Sequence, residues 1–83
     1  PERLATAIVA FVQRLRRGQL TKVPGVAETI DWAAALLALG AGRLTAELVD
    51  DTLGVVLKYE EDVQAIRGAT AAAYLDETAA GAA

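Results

Sequence analysis

The sequence predicts an all-α domain, a small four-helix bundle, and three observations carry that expectation. Apolar residues recur at spacings of three and four along most of the chain, no stretch alternates with the period of a strand, and glycine or proline separates the periodic segments. With 83 residues the chain is one domain, of a size that buries only about 60–65% of its unfolded surface. We expect residues 1–76 to form the bundle and the Ala-rich residues 77–83 to fray.

The first helix is read from "ERLATAIVAFVQRLRR", residues 2–17, where Leu4, Ile8, Phe11, Val12 and Leu15 fall on one face. Pro1 suits a first-turn position and Gly18 a stop. Arg14, Arg16 and Arg17 crowd the last turn, where the helix dipole favours cations. The second helix follows the break in "TKVPGVAETIDWA", residues 21–33. From Val26 to Leu39 it carries two apolar stripes, Val26/Ile30/Ala33/Leu37 and Trp32/Leu36/Leu39. Such a helix is expected in the middle of a bundle, with Trp32 inside. Gly40 and Gly42 end it.

Thr45 is the natural cap of a third helix running to about Lys58, with Leu48, Val49, Thr52, Leu53, Val56 and Tyr59 inward. Gly54 lies in its interior, so close packing or a bend is expected there. "YEEDVQAIRG" reads as a break and a fourth helix, with Asp62 as cap and Val63 and Ile66 inward. Helix should continue to Leu75.

Composition excludes much chemistry. Without cysteine or histidine there is no disulfide, no Cys/His metal site and no Ser-His-Asp or Cys-His catalysis within these residues. The acids of Asp50-Asp51 and Glu60-Glu61-Asp62 are adjacent on helices and diverge by about 100° per residue, as a solvated face or a cap would. No GxxxxGK[ST] phosphate loop occurs. Charge is uneven: residues 1–22 hold five basic side chains and one acid, residues 23–83 three and ten. The basic cluster lacks interleaved aromatics and the chain is acidic overall, so we expect no nucleic-acid partner. The longest apolar stretch is too short for a bilayer, and a cytoplasmic setting is expected. A start at Pro1 and the absence of methionine suit a fragment of a longer protein.

One stretch adds more. "KVPGVAETIDWAAALLALGAGRLTAELVDDTLGVVLKYEED" resembles the C-terminal lid of AAA+ ATPases, in particular the bacterial MoxR-like branch. The resemblance covers about residues 3–67 and is most specific in "PGVAETIDWA" and "LGVVLKYEED". It implies a larger upstream α/β domain that holds ATP and Mg, a lid that closes over the nucleotide, and neighbouring subunits in a ring. It also implies a parent that acts as a chaperone for metal or cofactor insertion or complex assembly, in some cases with a von Willebrand factor A-domain protein. Many such lids carry a phosphate-reaching arginine where this chain has Thr29 when Gly25 is aligned. Gly25, Thr29 and Lys22 are therefore the candidate nucleotide-contacting residues, beside a purely structural reading in which the stretch sets the entry angle of the second helix. The alternatives from other classes are a stand-alone helical interaction module and a small DNA-binding domain.

Overall fold

Five helices, rather than four, make up the computed structural model, which describes residues 2–82. They are α1 (Glu2–Arg16), α2 (Val26–Ala38), α3 (Ala46–Val56), α4 (Glu60–Ile66) and α5 (Ala69–Ala82). The fold is all-α, with no strand among the described residues. The first-turn role expected of Pro1 and the end of the predicted tail at Ala83 lie outside the described residues.

The core begins with α1. Leu4, Ile8, Phe11, Val12 and Leu15 are all buried, the five residues that helical spacing selects. The same core holds Trp32 and Leu36 of α2, Val49, Leu53 and Val56 of α3, and Val63 and Ile66 of α4. Phe11 and Trp32 meet with ring centroids 5.6 Å apart, at a tilt. Such aromatic pairs add about 0.5–1.5 kcal/mol beyond their buried area. The indole Nε1–H of Trp32 donates to Thr52 Oγ1 at 2.7 Å, and that hydroxyl donates to the Leu48 carbonyl at 2.6 Å. No polar atom is left unsatisfied there.

The helix ends follow local chemistry. Thr45 caps α3 by accepting the Leu48 N–H at 3.2 Å. Gly40 takes φ +75°, and the Gly40 and Ala41 amides return to the Leu37 and Leu36 carbonyls, closing α2 in a Schellman turn. Gly68, at φ +83°, breaks the expected single last helix into α4 and α5. Its amide donates to Asp50 Oδ1 at 3.0 Å, which ties the break to α3.

Several expectations are corrected. Helix α2 is not enclosed: it packs against α1 and α3 alone, leaving Val26, Ile30, Leu37 and Leu39 from 54 to 75% exposed. Two neighbours cover one side of a helix, so only Trp32 and Leu36 are buried, and Leu39 of the same stripe is not. Two helices meet three others: α3, which touches α2, α4 and α5, and the Ala-rich α5, which touches α1, α3 and α4. Small side chains let it approach closely, Ala71 is fully buried, and Arg14 fastens it by stacking over Tyr74 and pairing with Glu77. This helix runs to Ala82, beyond the Leu75 limit expected, as its alanine content favours. Tyr59 is exposed because α3 ends at Val56 and the chain turns away before reaching it. A Cβ at Gly54 would meet nothing within 4 Å, so no close packing explains that glycine. Asp62 does not cap α4; it lies buried in the first turn and reaches another part of the chain.

Candidate functional site

The opening turn of α2 is where the three candidate residues gather. A strap without regular structure leads from the end of α1 to Gly25, the N-cap of α2. Pro24 within it is buried, Leu20 packs on the core, and Arg16 donates from its guanidinium to the Pro24 carbonyl at 3.3 Å. Asp62 fixes the middle of the strap: its two carboxylate oxygens accept the Thr21 and Lys22 amides at 2.8 and 3.1 Å.

Gly25 has extended backbone, φ −96° and ψ −167°. Its amide donates to Glu28 Oε1 at 2.8 Å, and its carbonyl accepts both the Thr29 amide at 3.1 Å and the Thr29 hydroxyl at 2.7 Å. This is the carboxylate half of a capping box; glycine has no side chain to supply the other half. Lys22 is exposed on the strap, with its amide held by Asp62. Gly25 and Thr29 are thus joined directly, and Lys22 is tied to the same strap through a different anchor.

Electrostatics favour an internal anion at this helix start. The Gly25 amide lowers the Glu28 carboxyl below its ordinary 4.5, partial burial opposes the shift, and Lys22 and Lys58 add to it. For Asp62, burial pushes the carboxyl upward, but the Thr21 and Lys22 amides outweigh it and bring the group below its ordinary 3.8. The end of α2 that could greet a phosphate is therefore occupied by the chain's own carboxylate.

Beside this turn runs a groove between α1 and α2, lined by Val9, Val12, Arg16, Val26, Thr29 and Ile30. A second, smaller hollow between the same two helices is lined by Ala5, Ala33 and Leu37 among others. The result is an uncovered apolar stripe with Arg16 at one end. A larger depression on α1, around Arg3 and Ala7, is built from a single helix face and has no such convergence. Arg14, by contrast, is engaged with Glu77 and Tyr74. Among the described residues there is no group of three or more metal-ligating side chains, and no helix is long and apolar enough to cross a membrane.

Sequence reasoning selected the turn but missed its anchor. Asp62 stands four residues before Ile66 and beside Val63, which places it on the inward face of α4. That spacing was the available signal. Comparison with protein-family models, with curated proteins and with solved structures finds no match.

Proposed function

We propose that the chain is the C-terminal helical lid of a MoxR-like AAA+ ATPase, closing over ATP held by an upstream domain and coupling hydrolysis to movement between ring subunits. The observation that carries this reading is the uncovered apolar stripe of Val9, Val26, Ile30 and Leu37, which starts at the turn most similar to the family. A lid needs such a face to ride on a larger domain, and clustered exposed apolar side chains commonly mark an interaction surface.

The donor set at the α2 turn does not fit a phosphate. The Gly25 amide is taken by Glu28, the Thr29 hydroxyl donates to the Gly25 carbonyl, and Glu28 presents negative charge. ATP and Mg therefore belong to the upstream domain in this reading. Gly25 and Thr29 shape the turn, and Lys22 is the candidate that can bring positive charge toward the nucleotide. The nucleotide state is then felt through the position of the lid rather than through a phosphate-gripping side chain. A chaperone role for the parent, and a von Willebrand factor A-domain partner, come with the resemblance as further parts of the proposal.

The coding sequence upstream of Pro1 tests this reading. A phosphate-loop motif and a metal-binding acid pair are expected there, and their absence refutes it. The same apolar stripe favours a second reading, a helical module that binds a protein partner directly. That module would bind as this chain alone and with no dependence on nucleotide, whereas the lid acts only with its ATP-holding domain.

A further inference from the structure

The strap from α1 to α2 has no secondary structure of its own, so its place is decided by a few anchors. Leu20 and the buried Pro24 pin its two sides, and Arg16 holds the Pro24 carbonyl. Between them, the chain's own hydrogen bonds to the rest of the domain run through one carboxylate. Asp62 is 3% exposed, comes from an element forty residues away, and uses both oxygens on two consecutive amides, Thr21 and Lys22. A carboxylate sunk this deeply is costly unless it is hydrogen-bonded. Here two amide donors supply that compensation, and they do so at the strap rather than within α4.

We propose that Asp62 is a latch: a positioning residue that fastens the strap to α4 and so holds the opening turn of α2, with Lys22, Gly25 and Thr29, in one place. With the latch closed, the strap and the α2 turn move as part of the domain. With it open, the Thr21 and Lys22 amides lose their only acceptor among the described residues, and Leu20, Pro24 and the Arg16 contact are left to hold the strap. The latch does not depend on the lid reading, which determines only what the positioned turn would face.

Residue-resolved amide hydrogen exchange tests it. In the unaltered chain the Thr21 and Lys22 amides should exchange at least tenfold more slowly than that of Val23, for which the described residues offer no hydrogen-bond partner. In Asp62→Asn, exchange at Thr21 and Lys22 should quicken at least tenfold more than at core amides such as Leu36 and Leu53. Ile66→Val, which trims the core of α4 but keeps the carboxylate, should quicken Thr21 and Lys22 no more than those core amides. Equal exchange at Thr21, Lys22 and Val23 in the unaltered chain overturns the latch, as does an Asp62→Asn effect no larger at the strap than in the core. The first comparison decides the matter even if the variant does not fold.

Discussion

Thr52→Val tests the polar contact at the centre of the core. Valine keeps the branched shape of threonine but removes the hydroxyl that accepts the Trp32 Nε1–H at 2.7 Å. Trp32 is fully buried and Thr52 is 6% exposed, so no water replaces the lost acceptor. An orphaned buried donor costs about 1–3 kcal/mol. The added methyl group returns up to about 0.8 kcal/mol. The Leu48 carbonyl, which the hydroxyl also reached, keeps its place in the helical ladder and is not orphaned. The net loss should be about 1–2 kcal/mol, a fall in Tm of roughly 5–15 °C for a domain of this size. Far-UV circular dichroism melts and urea titrations measure it. Trp32→Phe removes the donor instead, so in the Thr52→Val background it should cost less than it does alone, by about 1–2 kcal/mol. A Thr52→Val protein as stable as its parent, or two changes that simply add, would refute the reasoning.

Three further outcomes are expected. Gly54→Ala should stabilise the domain by about 0.5–1 kcal/mol, because a Cβ there meets nothing and alanine is the better helix former; a lower urea midpoint would contradict it. Folded-state carboxyls of Glu28 and Asp62 sit below their ordinary 4.5 and 3.8, so the unfolded chain binds more protons in acid. Their contribution is complete above those ordinary values and is lost as pH falls through the lower folded ones, and Asp62→Asn should flatten that decline in a pH series of urea titrations; an unchanged slope would exclude Asp62 as a source. Ile30→Glu, at a position 62% exposed, should change fold stability by no more than about 0.5 kcal/mol. If the chain is the proposed lid, the same change should lower ATP hydrolysis by the longer protein that contains it, and full activity there would remove the stripe from the proposed function.

The helices and the α1 face were legible because both rest on local physics. A period of 3.6 residues selects Leu4, Ile8, Phe11, Val12 and Leu15 whatever surrounds them, and Thr45 and Gly40 act on amides and carbonyls within a few residues. The all-α class and the burial of Trp32 follow from the same spacing. How many neighbours each helix has is a different kind of fact. The apolar content of α2 marks two stripes as equals, and only the packing decides that Trp32 and Leu36 are covered while Val26, Ile30 and Leu37 are left bare.

The candidate site divides along the same line. Gly25, Glu28 and Thr29 lie within one helical turn, so sequence places them together. Asp62 comes forty residues later, and its contact with Thr21 and Lys22 exists only because α4 folds back beside the strap. The sequence by itself determined where α1, α2 and α3 begin and which residues could face inward, because those preferences are settled over three or four residues. Tertiary structure alone decided which apolar stripe stays open and which acid is buried, since both depend on what the remote chain brings alongside.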